Sequence, residues 1–402
     1  MCTGTPSESG LALFGSSILA AGLGALGLMA SVLSPLPRLA DGSLPGFSTP
    51  SIGLSSAIDA ETGSQLIAAD ATRLTVGPRR PVQPVAAWGD EIVLKVDATP
   101  APGAGSTPEF AFWNVETGER RPGWTGEPGT QEIVTDLDGD WASIVRTGFE
   151  LPFADWTLLL RNLETGEVRT IAAGDPEVGS TEGLQPGLPL GFAPFASMHN
   201  GRVAWAQYAR SGDRVEREVL VYDLADDSRT VVASVHPTEG HLASPSLGGD
   251  RMAWISSSPG GEEHEFVVHE LSSGAEQRYR VEGHPFQLVL TADGRQLAWD
   301  DQMTAKYSFD LARRTLTRFA ADEGWGVTAA TEGARLSWTP AAAFGGTGGY
   351  FDVATRQTHL VEPRQGVTTN VATVLGEWFA WQESTGTETA YYFQSLARGG
   401  NG

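Results

Sequence analysis

Arg161-Asn162-Leu163-Glu164-Thr165-Gly166 packs a strand end, a polar turn and the start of a second strand into six residues, and the chain returns to this pattern repeatedly. Ile58-Asp59-Ala60-Glu61-Thr62-Gly63 and Trp113-Asn114-Val115-Glu116-Thr117-Gly118 repeat it closely, and weaker copies start at Asp223, Glu270, Asp310 and Asp352. Seven copies at a period of roughly 40 to 60 residues define a repeat architecture before any single residue is read.

A second signature interleaves with the first. It is a Gly-containing turn followed by a strand that usually ends in Trp, as in Asn200-Gly201-Arg202-Val203-Ala204-Trp205 and Gly249-Asp250-Arg251-Met252-Ala253-Trp254. It recurs at Trp299, Trp338 and Trp381, and two earlier copies, starting at Gly89 and Gly139, carry the aliphatic Leu94 and Ile144 in place of Trp. The fixed place of these residues in the repeat makes them core between neighbouring units.

Both signatures belong to hairpins, since Gly supplies the positive φ of a tight turn and Asp or Asn bonds the following backbone. Each repeat is therefore a four-stranded antiparallel meander. Its short apolar runs, such as 219–222 and 266–269, suit sheets covered on both faces. The predicted fold is an all-β propeller of four-stranded antiparallel blades, seven in number, with six or eight also compatible, preceded by an N-terminal hydrophobic helix. Ring closure is expected to pair an outer hairpin at 57–67 with an inner one at 371–382, the N-terminal segment giving that blade one strand or two.

The stretches 222–232 (YDLADDSRTVV), 161–171 (RNLETGEVRTI) and 249–257 (GDRMAWISS) resemble repeats of the TolB-like, WD40-related bacterial propellers. The resemblance covers roughly residues 55–398 and implies the propeller fold. It implies no single activity, because such propellers serve as binding scaffolds and are also found fused to peptidases.

Length fits one propeller domain at 55–402, after a hydrophobic segment at 1–38 and a flexible Gly, Ser and Pro-rich tether at 39–54. Residues 11–34 form an uncharged run closed by Pro35-Leu36-Pro37-Arg38, long enough to cross a bilayer. It reads as a membrane anchor or a signal peptide, although no Lys or Arg precedes Arg38. The propeller is then expected outside the cytoplasm, held at the membrane through this segment or secreted. A net charge of −22 argues against nucleic acid, whose binders need a basic stripe. The single Cys2 allows no intramolecular disulfide and no thiolate metal cluster.

In a four-stranded blade the first and third turns share one end of the ring, and the second turn and the blade-to-blade connection share the other. All the long segments, 97–109, 147–155, 172–194, 208–218, 256–264 and 340–349, fall at the second end, which makes it the expected binding face. Its aromatic residues, Trp124, Phe153, Trp156, Phe192, Trp325 and Phe344, are candidates for stacking on sugar rings or anchoring a peptide. Of these, Trp124, Phe153, Phe192, Trp325 and Phe344 are taken as ligand-binding candidates, with packing against blade edges as the other reading of each.

No Gly-x-Ser-x-Gly elbow, His-Glu-x-x-His or phosphate loop occurs, so no catalytic residue, metal site or cofactor is assigned. Asp136-Leu137-Asp138-Gly139-Asp140 has the oxygen density of a calcium loop but reads better as a solvated blade turn. His236 and His241 lack an identifiable third ligand. The expected function is binding of an envelope protein or glycan through the long-loop face. The alternative is a hydrolase or lyase with its site at the channel mouth.

Overall fold

The computed structural model describes residues 49–396 apart from 77–81, 97–106, 149–154, 176–177, 179–193, 303–304, 322–323, 330–333, 341–346 and 386. Residues 42–402 form one compact unit. The apolar run 11–34, and with it the expected N-terminal helix, lies outside the described residues. Among the described residues no helix is long and apolar enough to cross a membrane.

Seven antiparallel sheets follow one another along the chain, at 82–125, 131–173, 197–235, 241–281, 285–320, 324–361 and 368–395, and are numbered here as blades 1 to 7. The first strands of successive blades touch one another in a closed ring, so they line the axis and the fourth strands form the rim. The fold is thus the all-β, seven-bladed propeller of four-stranded units that the TolB-like resemblance implied.

Six of the Asp/Asn turns are hairpins between third and fourth strands. Asn114 Oδ1 accepts the N–H groups of Glu116 at 3.0 Å and Thr117 at 2.8 Å, and Asn162 does the same for Glu164 and Thr165 at 3.1 and 2.8 Å. The short side chain satisfies donors that the tight turn leaves without a backbone partner. Gly118 and Gly166 then take φ of 73° and 76°, a region that costs glycine little.

The seventh copy, at Ile58-Asp59-Ala60-Glu61-Thr62-Gly63, is not a turn, which corrects the expected hairpin at 57–67. This segment is part of a strap that runs around the rim. Ser51–Ile52 pairs parallel to the outer strand of blade 4, Ile58–Asp59 to that of blade 5, and Glu61–Leu66 to that of blade 6. Thr72–Val76 then pairs antiparallel with Thr389–Ser395 and supplies the fourth strand of blade 7. Closure therefore uses one N-terminal strand against three C-terminal ones.

The strap covers sheet edges that would otherwise present unpaired backbone groups. Arg280 N donates to Pro50 O at 2.9 Å, Ala60 N to Arg318 O at 2.9 Å, and Glu362 N to Leu66 O at 3.0 Å. Asp59 is gripped by both arms of Arg318, at 2.6 and 2.9 Å. Gly63 is required here for space, since a Cβ would stand 2.6 Å from the His359 ring. Leu66, 1% exposed, plugs the contact between blades 6 and 7 beside Val361, Ala372 and Trp381.

Seven clusters of buried apolar residues correspond one to one with the seven blade contacts. Trp205, Trp254, Trp299, Trp338 and Trp381 each face the preceding blade at the same point of the repeat, and none is more than 1% exposed. Leu94 and Ile144 take this place in blades 1 and 2. A fully buried aromatic contributes about 3–5 kcal/mol against truncation to Ala.

Around the axis, inner strands of neighbouring blades splay too far apart for continuous pairing, and short side chains bridge them. Asp136 Oδ2 accepts Met198 N at 2.7 Å, Ser197 Oγ accepts Leu247 N at 3.1 Å, and Ser246 Oγ accepts Leu290 N at 2.9 Å. These three bridging residues occupy the same register in blades 2, 3 and 4, opposite Ser143, Ala204 and Ala253. Each gives a buried backbone N–H its partner. Burial raises Asp136 to about 6, against the pull of its backbone donors.

Candidate functional site

The ring has two unlike ends. At one, the described first and third turns are tight hairpins, such as those at Gly139 and Gly166. At the other lie further connections, including 236–240 and 258–263. The segment 208–218, expected as a loop, is instead a hairpin: Arg202–Ser211 and Arg214–Asp223 stay paired up to Ser211↔Arg214, with Gly212 turning the chain at φ 63°. These ten-residue strands, longer than the six or seven residues usual in other blades, raise an arm at this end. Val178, 1% exposed, packs on the arm against Val215 and Tyr208.

Next to the arm, polar side chains from three blades line the same end. His241–Leu242 is a short innermost strand of blade 4, and His241, Ser257 and His264 stand opposite one another across that sheet. Ser257 Oγ lies 2.9 Å from His264 Nδ1, while His264 Nε2 is enclosed with no side-chain hydrogen-bond partner among the described residues. The His264 and His284 rings are 6.0 Å apart. Asp301 Oδ1 of blade 5 accepts the backbone N–H of His284 at 2.6 Å. Burial first, then the neighbouring His284, hold His264 below its ordinary value, so it stays neutral at neutral pH. A nucleophilic serine needs a base whose second nitrogen is steered by an acid. Among the described residues no carboxylate is hydrogen-bonded to His264, so the pair is without the acid that such a triad needs.

On blade 3 the Arg217 guanidinium lies over the Tyr208 ring, 4.7 Å from its centroid, and its Nε donates to Leu242 O at 3.1 Å. Burial, then the Arg217 charge, hold His241 below its ordinary value. Although His241 is exposed in surface area, the Arg217 charge acts in the same direction, so the imidazole is neutral at neutral pH.

Among the described residues no group of three or more His, Cys, Asp or Glu is placed to hold a metal ion. Asp136 and Asp138 accept backbone N–H groups of blade 3, Asp138 from Gly201 at 2.7 Å. His236 turns toward Thr238 Oγ1 at 2.7 Å. Two shallow grooves of about 420 and 400 Å³ lie on blade 1, away from the histidines, and the first is occupied by the Arg121–Glu91 ion pair at the tight-turn end.

The sequence-derived aromatic candidates are placed unequally. Trp124 is on the outermost strand of blade 1 (Arg120–Thr125), 7% exposed, stacked 4.1 Å from Phe110 with its Nε1 3.3 Å from Glu132. It is a packed residue and not a loop aromatic. Trp156 is likewise buried at the start of Trp156–Asn162. Trp325 belongs to the innermost strand of blade 6, opposite Thr339. Phe153, Phe192 and Phe344 lie outside the described residues. Sequence reading missed Arg217, which lies inside the strand Arg214–Asp223, and His264, His284 and Asp301, whose only local signal is position at or beside strand ends.

No protein family and no curated protein matches the sequence. Among solved structures, the chain is similar to an acylaminoacyl peptidase of Pyrococcus horikoshii, at 9% identity and a TM-score of 0.53, over 79% of this chain and 52% of that one. It is also similar to a prolyl endopeptidase, at 10% identity and 0.52, over 80% and 49%. It spans about half the length of these peptidases. TolB from Acinetobacter baumannii matches at 14% identity and 0.41, over 76% and 80%. At these identities the likeness concerns the fold alone.

Proposed function

We propose that this protein is a non-catalytic extracytoplasmic propeller that binds a protein or a glycan of the cell envelope through its long-loop face. The observation that carries this reading is the division between the two ends of the ring. One end is closed by short hairpins, and the other bears the raised arm of blade 3 and the histidine-lined sector of blades 4 and 5. Variable connections on a rigid scaffold are where binding groups collect. Among the described residues no carboxylate is hydrogen-bonded to His264, which weighs against a hydrolase triad at this mouth.

Residues 11–34 suit a role in holding the propeller at the membrane or directing its export. Full-length protein should fractionate with membranes, or appear outside the cell shortened by about 30–45 residues. Intact protein in the cytosol would remove this part of the reading. For the binding reading, alanine at Phe153, Phe192 and Phe344 should weaken capture of envelope glycans or proteins while melting stays unchanged. Turnover of a peptide or polysaccharide substrate that depends on Ser257 or His264 would overturn it in favour of an enzyme.

A further inference from the structure

In a chain of net charge −22, a half-buried cation with no acid among its described contacts stands out. Arg217, on the third strand of blade 3, is such a group. Its contacts are Leu242 O at 3.1 Å and the face of Tyr208 at 4.7 Å. Two other cations drawn into the propeller are paired with acids, while Arg161 also lies over a ring, that of Trp124 at 5.2 Å, with the Glu132 charge acting on it. Lys306 meets Asp300 at 3.2 Å with both side chains fully buried, and Arg146 meets Glu132 and Glu127 at 2.8 Å. Burial lowers Arg217 from its ordinary value, and the opposing influence is the Tyr208 hydroxyl, not a carboxylate.

A guanidinium drawn out of water in this way is costly to keep unless something compensates it. Water compensates in part, since the terminal nitrogens of Arg217 are not sealed off. Those two nitrogens are the fork that recognises planar oxyanions. The stacked Tyr208 ring and the Leu242 carbonyl fix the guanidinium plane, so little conformational freedom remains to be lost on binding. Tyr208 and Arg217 face each other across the arm, and Leu242 belongs to the innermost strand of blade 4, so the group stands at the loop end between blades 3 and 4. His241 is the residue next along that strand.

We propose that Arg217, floored by Tyr208 and flanked by His241, is an anion-binding element of the long-loop face and takes a carboxylate. This rests on the loop-face reading above and names the chemistry of its ligand. A carboxylate is favoured over phosphate on charge and shape. One guanidinium balances one negative charge, a dianion would meet the net negative field of the chain, and the fork matches two coplanar oxygens. Neutral His241 adds a hydrogen-bonding group without adding charge.

The test titrates full-length protein at fixed ionic strength with N-acetylglycinate, glucuronate, inorganic phosphate and the neutral N-acetylglycinamide. Binding is followed by the Arg Nε–H signals in proton–nitrogen NMR. At least one monocarboxylate should saturate, with the amide silent and phosphate about tenfold weaker or more. Whether the peptide-like or the sugar acid binds identifies the source of the carboxylate. Arg217→Gln should weaken binding about 10- to 100-fold, the range for a charge-assisted hydrogen bond. Arg217→Lys, which keeps the charge and loses the fork, should fall between and decides the matter if the Gln variant does not fold.

The proposal is overturned if the wild-type protein shows no saturable carboxylate binding, if phosphate binds as tightly, or if folded Arg217 variants bind unchanged. Envelope capture that survives while carboxylate binding is absent would remove Arg217 and keep the face. Carboxylate binding without any dependence of capture on the loop face would do the reverse.

Discussion

Trp299 and Trp381 hold the same place in their blades, and their indole N–H groups meet opposite fates. Trp381 Nε1 donates to Glu383 Oε1 at 3.0 Å, and Glu383 is 5% exposed and also paired with Arg364. Trp299 Nε1 is enclosed without an acceptor, its ring lying against Tyr307 and Phe266 at 5.4 and 4.9 Å. Replacing either by Phe shrinks the ring and costs on the order of 1 kcal/mol in packing. At Trp381 the change also removes a hydrogen bond to a charged, buried acceptor, about 1.5–3 kcal/mol more. At Trp299 it removes a polar group whose unpaired burial costs about 1–3 kcal/mol, which offsets the packing loss. Trp381→Phe should therefore destabilise by about 3 kcal/mol and Trp299→Phe by about 1 or less. Urea unfolding followed by far-ultraviolet circular dichroism measures both. Equal losses, or a larger one at Trp299, would mean that its N–H is bonded in solution and that the reasoning from partners fails.

Leu66→Ala should cost about 2–5 kcal/mol, the range for a fully buried leucine, and should expose the strap to limited proteolysis upstream of Thr72. Burial holds Asp136 up at about 6, so the folded state favours its protonated form. That stabilisation is complete below about pH 4 and lost as pH rises through about 6. Asp136 therefore removes about 2–3 kcal/mol of stability between those values, and Asp136→Asn should flatten that dependence in melts run from pH 4 to 7.5. Trp124→Ala should lower stability by about 3–5 kcal/mol and leave ligand capture by the folded fraction unchanged.

The repeat was legible because its signals are local. An Asn or Asp that folds back on the next two N–H groups, and a Trp at a fixed offset from a Gly turn, act within one hairpin, and both appear in the sequence as they do in the structure. The failures arose where the same letters serve another purpose. Asp59 and Gly63 spell the turn, yet Asp59 answers Arg318 and Gly63 clears the His359 ring, both distant in sequence. Residues 208–218 are polar enough for a loop, but cross-strand pairing carries the strands through to Gly212. Of the polar sector only His241 was singled out in the sequence, as half of an incomplete metal pair; Arg217, His264, His284 and Asp301 were illegible for the same reason, since tertiary folding alone brings them to one end of the ring.

Site-specific photocrosslinking in cells tests the binding face most directly. A photoreactive residue is placed at Asp213 or Glu262 for the long-connection end, and at Glu116, Asp226 or Ser273 for the tight-turn end. Adducts with an envelope component should form from the first set and not from the second. Adducts from the tight-turn end, with none from the arm and its neighbours, would contradict the account.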